Sequence, residues 1–258
     1  MRSISILGSG WLGFPLAREL KKSGWNVKGS SRNDDRLQEL AMSGIEPFKI
    51  DIEILDKTVT PFFDSEILII NVPPRNDNMD HIKALKSLKK HIVRGEIKWV
   101  FYVSSTGIYP NLNKPVTESD ASDAATSRGG VNLLEAEELW RDEEAFSHTI
   151  IRFGGLYGPG REPARFLQGK KQIPGGLNPV NMIHLEDCIG SIKVLLVKAL
   201  KNVTYNICSP HHPTRIAFYQ EASQKAGVPA PDLIQNKTQW KIVDPGKFIS
   251  QSGYSFKH

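Results

Sequence analysis

Three glycines spaced as G-x-G-x-x-G near the start of the chain constrain its fold more than any other feature. They follow the apolar run Ser3 to Leu7 and open an amphipathic stretch, Trp11 to Lys22, which is the strand-to-helix context that the motif requires. In that context Gly8 permits a tight turn, Gly10 lets a pyrophosphate approach the backbone, and Gly13 permits close packing of helix on strand. The alternative is a plain glycine turn. We predict a dinucleotide site formed by the loop residues Gly8, Ser9, Gly10, Trp11, Leu12 and Gly13.

The rest of the chain alternates apolar, strand-like runs with amphipathic, helix-like stretches. Strands are predicted over residues 3–7, 26–30, 47–50, 66–72, 99–103, 148–153 and 204–208, and helices over 11–22, 34–42, 80–93, 124–146, 185–200 and 216–227. This alternation is typical of a parallel sheet covered by helices. The predicted fold class is therefore α/β, a Rossmann doubly wound parallel sheet with helices on both faces and a small C-terminal substrate-binding region.

The composition changes after the sixth predicted strand, where residues 154–179 become rich in glycine and proline. Loops of this kind sit poorly in a sheet but suit the surroundings of a ligand. We expect residues 1–153, completed by 181–208, to form the dinucleotide-binding core. Residues 154–180 and 209–258 are expected to form the substrate-binding region.

The end of the second predicted strand indicates which dinucleotide the loop holds. NAD enzymes carry Asp or Glu about 20 residues after the glycines to hold the ribose 2′-hydroxyl, but this chain has Ser30, Ser31 and Arg32 there. A guanidinium can pair with a 2′-phosphate, and neighbouring hydroxyls can donate to the same group. NADP(H) is therefore expected in preference to NAD(H). Two alternatives stay open: Arg32 is a surface arginine, or Asp34 or Asp35 reaches a ribose.

Charge and cysteine content argue against several other classes of protein. The formal net charge is +5, but the lysines of residues 83–94 recur at helical spacing opposite an apolar stripe, as on a solvated helix face. No nucleic-acid motif accompanies the charge. Cys188 and Cys208 are too few and too far apart for a disulfide framework or a zinc site, so no metal is expected.

The chain also lacks the apolar run of a signal peptide or a membrane span. We therefore expect a cytoplasmic protein whose partner is a small-molecule substrate, with no nucleic acid and no membrane involved. A homodimer is left open.

Five further segments occur in the order found in the extended short-chain dehydrogenase/reductase family, the NAD-dependent epimerase/dehydratase group. They are Asp51-Ile52, Asn71-Val72-Pro73-Pro74, VSSTGIY at residues 103–109, IIRFGGLYGPG at 150–160 and VNMIHLED at 180–187. Together they span nearly the whole chain. The resemblance implies that the cofactor is contacted by Asp51, Ile52, Asn71, Val72, Pro73 and Ser104.

The catalytic residues of that family are only partly present. The resemblance assigns Ser105 to a substrate oxygen, beside a tyrosine and a lysine in Tyr-x-x-x-Lys that exchange a proton as hydride moves at the nicotinamide. Alignment on Glu137 puts Gly129 at the tyrosine position and Leu133 at the lysine position, and no Tyr-x-x-x-Lys occurs in the sequence. The chain therefore resembles an atypical, YeeZ-like branch that keeps the nucleotide site and lacks this pair.

Ser105, Thr106 and Tyr109 remain as candidate catalytic residues. Ser105 and Thr106 are expected at the carboxyl end of a central strand, where open α/β sheets bind ligands, unless they only cap the turn that follows. Tyr109 is either a substitute acid or, like its counterpart in the family, a residue that packs and orients the loop. Arg152 and Arg161 flank the Gly-rich segment, where a phosphate or carboxylate can be held.

These observations favour an NADP(H)-binding oxidoreductase that acts on a small, anionic or sugar-like substrate. Ser105 and Thr106 would orient the reacting oxygen, and water or another acid would replace the tyrosine. Two alternatives stay open. One is a nucleotide-binding sensor or scaffold without turnover, and the other is a sugar-nucleotide epimerase or dehydratase, whose reactions usually need the same tyrosine.

Overall fold

The computed structural model describes residues 2–55, 57–74, 81–121 and 132–258, and its strands form one large sheet and two short ribbons. In chain order the strands are β1 (Ser3–Leu7), β2 (Asn26–Ser31), β3 (Glu46–Lys49), β4 (Ile67–Ile70), β5 (Trp99–Ser105), β6 (Lys114–Val116), β7 (Ser147–Phe153), β8 (Gly155–Tyr157), β9 (Met182–His184), β10 (Val203–Ile207) and β11 (Lys241–Val243). The large sheet has the order β10-β7-β5-β4-β1-β2-β3 with parallel neighbours. β6 pairs with β11 and β8 with β9. The predicted parallel sheet is confirmed.

Helices cover both faces of the large sheet, as predicted. In chain order they are α1 (Gly13–Lys22), α2 (Asp34–Met42), α3 (His81–Arg94), α4 (Leu133–Arg141), α5 (Pro163–Phe166), α6 (Leu185–Lys198), α7 (Arg215–Ala226) and α8 (Gly246–Ser252). Leu16 of α1 and Ile192 of α6 belong to one buried apolar cluster, and Leu88 of α3 and Trp140 of α4 belong to another. Among the described residues no helix is both long and apolar enough to cross a bilayer.

Two helical predictions differ from the structure. The predicted helix 124–146 begins among residues that lie outside the described part, and α4 ends at Arg141 because the Glu143 carboxylate accepts the Ala145 amide and forms a turn there. The prediction of a single helix after residue 208 is wrong, since α8 follows α7. α8 is short and buries Phe248 against Tyr205, so it has no extended apolar period to detect.

The strand order places several predicted site residues along one edge. From β1 the sheet extends to β2 and β3 on one side and to β4 and β5 on the other. Open α/β sheets bind ligands at the carboxyl ends of the strands at such a switch point. Gly8, Arg32, Asn71 and Thr106 directly follow the ends of β1, β2, β4 and β5.

Candidate functional site

The glycine loop between β1 and α1 is held by close backbone contacts. Gly8 has a φ of +97°, and a Cβ there would lie 2.5 Å from the Asn71 carbonyl oxygen, so glycine is required. A Cβ on Gly13 would collide with the Gly8 carbonyl oxygen. Ser30 ties the loop to β2, because its hydroxyl accepts the Gly8 amide (3.0 Å) and its carbonyl accepts the Ser9 amide (2.7 Å). Gly8 and Gly13 therefore build the loop itself.

Gly10 has a different role, because it leaves space in front of the loop. A Cβ on Gly10 would have no heavy atom of the described residues within 4 Å. Beside it, the N-terminus of α1 has no side-chain cap from the described part of the chain, and the first turn carries no acidic residue. Amide groups at an uncapped N-terminus favour an anionic ligand. The loop therefore fits a pyrophosphate.

A cleft of roughly 440 Å³ runs along this loop and the carboxyl ends of β1, β2 and β4. The structure brings most of the predicted cofactor residues together in its lining. They are Gly8, Ser9, Gly10, Ser30, Ser31, Arg32, Asp51, Ile52, Asn71, Val72 and Pro73.

Trp11, Leu12 and Gly13 do not line this cleft. Leu12 is a core residue, 2% exposed, because its side chain points beneath the loop. Trp11 Nε1 donates to the Pro159 carbonyl (2.7 Å), and the Arg161 guanidinium lies over the indole ring, 5.2 Å from its centroid. Trp11 therefore ties the glycine loop to the Gly-rich segment that follows β7.

Charges of both signs meet where the cleft passes the end of β2. Arg32 Nη1 lies 3.6 Å from Asp51 Oδ2, and the Arg32 side chain is 53% exposed. Asp34 pairs with Lys49 (2.7 Å) and does not line the cleft, whereas Asp35 does. Arg32 therefore lines the cleft as an exposed cation beside Asp51. Of the two carboxylates in the predicted alternative, Asp35 borders the same space.

A buried ionic network occupies the other half of the carboxyl edge. Ser104, Arg152 and Asn206 stand side by side on β5, β7 and β10. The fully buried Glu137 of α4 accepts from Arg152 Nε (2.9 Å) and Nη2 (2.6 Å) and from Ser104 Oγ (2.7 Å). Burial alone would lower the pKa of Arg152, but its hydrogen bonds to Glu137 raise it above the ordinary value. The Ser104 hydroxyl, predicted to contact the cofactor, thus binds a carboxylate inside the protein.

Tyr109 belongs to the same network. Its side chain is 2% exposed, and its hydroxyl donates to Asn206 Oδ1 (2.6 Å) and accepts from Arg152 Nη1 (2.7 Å). Burial raises the pKa of Tyr109 to about 12, although the positive charge of Arg152 opposes the rise. A phenol that is buried, paired twice and difficult to ionise is suited to holding the loop, not to exchanging a proton with a substrate.

Ser105, in contrast, is exposed at the end of β5. Its Oγ accepts the Gly107 amide (3.0 Å) and caps the 3-10 turn Thr106–Ile108, while Thr106 itself is buried. Within the described ranges no acceptor takes the Ser105 hydroxyl hydrogen, so it remains available to a ligand. The two predicted roles of Ser105 are compatible, because capping uses the oxygen and a substrate would use the hydrogen.

The family's catalytic tyrosine and lysine correspond to Gly129 and Leu133 in this chain. Leu133 is buried in an apolar cluster with Ile108, Tyr109 and Val243. A leucine in such a cluster cannot relay a proton. Gly129, at the tyrosine position, lies outside the described residues.

One polar residue near the VSSTGIY segment was not identified from the sequence. Lys241, the first residue of β11, donates from Nζ to the Tyr109 carbonyl oxygen (2.5 Å). Burial lowers the pKa of Lys241. No local pattern marks it, because the contact joins residues 132 positions apart.

His184, Glu186 and His258 offer ligand atoms within 4.8 Å of one another, but their arrangement does not suit a metal ion. The two imidazole rings stack with centroids 3.9 Å apart and a tilt of 37°. An ion lies near the plane of each ring that binds it, about 2 Å from the nitrogen, and rings stacked in this way do not share such a point. His184 also accepts the Glu186 amide (3.3 Å) as the N-cap of α6. The group is better described as a helix cap beside an ion pair.

The chain is similar in sequence to a described protein family and to a bacterial protein. Residues 3–93 match the family described as NADP oxidoreductase, coenzyme F420-dependent. Protein YeeZ of Escherichia coli strain K12 is 32% identical to the chain over 267 residues, which cover 100% of this chain and 97% of that protein.

Solved structures share the fold over the whole chain. A functionally unknown conserved protein from Silicibacter pomeroyi DSS has a TM-score of 0.81 at 22% identity, covering 100% of this chain and 94% of that one. UDP-glucuronic acid 4-epimerase from Bacillus cereus, solved in complex with NAD, has a TM-score of 0.79 at 18% identity, covering 99% and 94%. Likeness at these identities shows the fold alone.

Proposed function

Because this chain belongs to the YeeZ family, an atypical branch of the extended short-chain dehydrogenases/reductases, we propose that it is an NADP(H)-dependent oxidoreductase acting on a small, anionic or sugar-like molecule. The observation that carries the proposal is the cleft beside Gly10. There the open space at Gly10 and the exposed Arg32 line one cavity, and the uncapped N-terminus of α1 lies beside it. This combination suits a dinucleotide with an additional phosphate.

Each part of the cleft has a role in this proposal. The backbone at Gly10 and the N-terminus of α1 hold the pyrophosphate, and Ser30, Ser31 and Arg32 hold the 2′-phosphate. Ile52 and Asp51 would contact the adenine, and the segment from Asn71 to Pro73 would contact the nicotinamide half. When bound, the cofactor supplies or accepts a hydride.

The proposed substrate lies at the carboxyl end of β5. The exposed Ser105 donates its free hydroxyl hydrogen to the reacting oxygen, and the turn at Thr106 places that hydroxyl. Tyr109 orients the loop and takes no part in proton transfer, because its hydroxyl is engaged with Arg152 and Asn206. Water or another acid supplies the proton. Residues 154–180 and 209–258 complete the substrate region in this proposal, and the protein works in the cytoplasm.

The apolar environment of Leu133 favours a second candidate, an NADP(H) sensor or scaffold without turnover. It shares the cofactor site and differs only in the absence of a reaction. Epimerase or dehydratase chemistry gains no support here, because it needs an acid-base pair at the same positions.

Titration of tryptophan fluorescence with NADPH and NADH tests the proposal, since Trp11 lies inside the glycine loop. We expect NADPH to bind more tightly, and tighter binding of NADH would remove the role given to Arg32. Oxidation of NADPH, followed across a panel of aldehydes, ketones and imines, then separates the candidates. Turnover of any of them supports the oxidoreductase, and tight NADPH binding without turnover supports the sensor.

A further inference from the structure

Three segments singled out in the sequence meet at one lysine, Lys241. Asn181, in the VNMIHLED segment, donates from Nδ2 to the Lys241 carbonyl (3.0 Å) and accepts the Val243 amide (2.7 Å). The Gly155 amide, in the Gly-rich segment, donates to the Asn181 carbonyl (2.7 Å). The Lys241 ammonium itself donates to the Tyr109 carbonyl, at the end of VSSTGIY (2.5 Å). Lys241 therefore lies where the core and the proposed substrate region join.

The ammonium group of Lys241 is only partly satisfied there. The Tyr109 carbonyl takes one of its three hydrogens. The residue opposite Lys241 in β6 is Lys114, whose Nζ lies 2.9 Å from Asp120 Oδ1. Among the described residues, no carboxylate forms an ion pair with Lys241 itself. Burial is the cause of its lowered pKa. A half-buried cation without a counter-charge is costly, and an anion bound beside it would remove that cost.

We propose that Lys241 binds an anionic group, a carboxylate or a phosphate, of the small-molecule substrate. This inference rests on the proposed function, according to which a substrate binds at this edge of the sheet. It adds the chemical class of that substrate. The Tyr109 carbonyl and the two hydrogen bonds of Asn181 hold the lysine in place, so two of its hydrogens remain for the anion. Ser105, at the end of β5, is separated from Tyr109 by the 3-10 turn Thr106–Ile108 and would take an uncharged oxygen of the same molecule.

Lysine side-chain NMR of labelled protein tests this inference without a known substrate and without cofactor. The Lys241 signal is identified by its loss in Lys241→Met. Malonate, inorganic phosphate and chloride are then added at equal ionic strength. We expect malonate or phosphate to move the Lys241 signal and to raise the pKa of Lys241, whereas chloride leaves both unchanged.

Three variants separate a binding role from a structural one. In Lys241→Met the dissociation constant for the effective anion should rise by at least about tenfold. Lys237→Met removes a nearby exposed lysine and should leave the dissociation constant for the anion unchanged. Lys241→Arg should retain anion binding because arginine keeps the positive charge. All three should bind NADPH as the unaltered protein does, because Lys241 does not line the cofactor cleft.

The inference is overturned if neither malonate nor phosphate moves the Lys241 signal. It is equally overturned if Lys241→Met loses stability but binds the anion as before, since that result assigns the lysine a structural role. The probe that binds more tightly, malonate or phosphate, shows whether the site prefers a carboxylate or a phosphate. Anion binding at Lys241 without any NADPH binding would contradict the proposed function but not the role of Lys241 in anion binding.

Discussion

The two halves of the sheet's carboxyl edge use polar residues in opposite ways. At β1, β2 and β4, the Gly10 backbone and the exposed Arg32 guanidinium line an open cleft. At β5, β7 and β10, Ser104, Arg152 and Asn206 are buried, and their side chains are hydrogen-bonded to Glu137, to the Tyr109 hydroxyl and to backbone carbonyls. Polar residues at strand ends therefore indicate a ligand only where the protein leaves their hydrogen-bonding groups unpaired.

The largest expected effect comes from breaking the buried half. Glu137→Gln leaves the Arg152 guanidinium without its counter-charge and should lower the free energy of unfolding by about 3–5 kcal/mol. Urea denaturation measures the loss. The matched control is Glu135→Gln, which removes an exposed ion pair with Lys86 and should cost no more than about 1 kcal/mol. Equal losses in the two variants would contradict the contrast between a buried network and a solvated surface.

In the open half, Gly10→Ala should affect binding and not folding. The added Cβ would stand in the space proposed for the pyrophosphate, so the dissociation constant for NADPH should rise roughly 10- to 100-fold. Gly13→Ala is the counterpart, because its Cβ meets the Gly8 carbonyl and should lower the melting temperature. Fluorescence titration and thermal unfolding of both variants distinguish the two. Unchanged NADPH binding in Gly10→Ala would argue against the pyrophosphate position.

Arg32→Ala tests which dinucleotide the cleft prefers. Loss of one charged partner of the 2′-phosphate should weaken NADPH binding about tenfold and leave NADH binding unchanged. Parallel titrations with the two dinucleotides measure the ratio. Arg18→Ala, an exposed arginine of α1 outside the cleft lining, is the control and should change neither affinity. A parallel loss of both affinities in Arg32→Ala would mean that Arg32 does not select the 2′-phosphate.

Tyr109→Phe is expected to have the smallest effect. It deprives Arg152 and Asn206 of one hydrogen-bonding partner each and should lower the free energy of unfolding by about 1–2 kcal/mol. NADPH binding and any turnover found with the aldehyde, ketone and imine panel should persist. Complete loss of turnover with stability intact would instead identify Tyr109 as the acid.

Local spacing was enough to predict most of the residues that line the cleft. Gly8, Gly10 and Gly13 lie within six consecutive residues, and Ser30 to Arg32 follow at the end of the next strand. Their roles depend on a strand, a turn and a helix that are neighbours along the chain. The buried network was less predictable, because Glu137, Arg152 and Asn206 come from elements far apart in sequence.

Periodicity and fixed spacing in the sequence were enough for the seven strands of the large sheet, the glycine loop and the absence of Tyr-x-x-x-Lys. The tertiary structure alone decided which hydroxyls are free. Ser104 and Ser105 are adjacent, yet one is bound to a buried carboxylate and the other keeps its hydrogen for a ligand. Only the fold placed Lys241 against the Tyr109 carbonyl. The physical reason is that hydrogen-bond satisfaction depends on partners brought together by packing, and no local pattern records them.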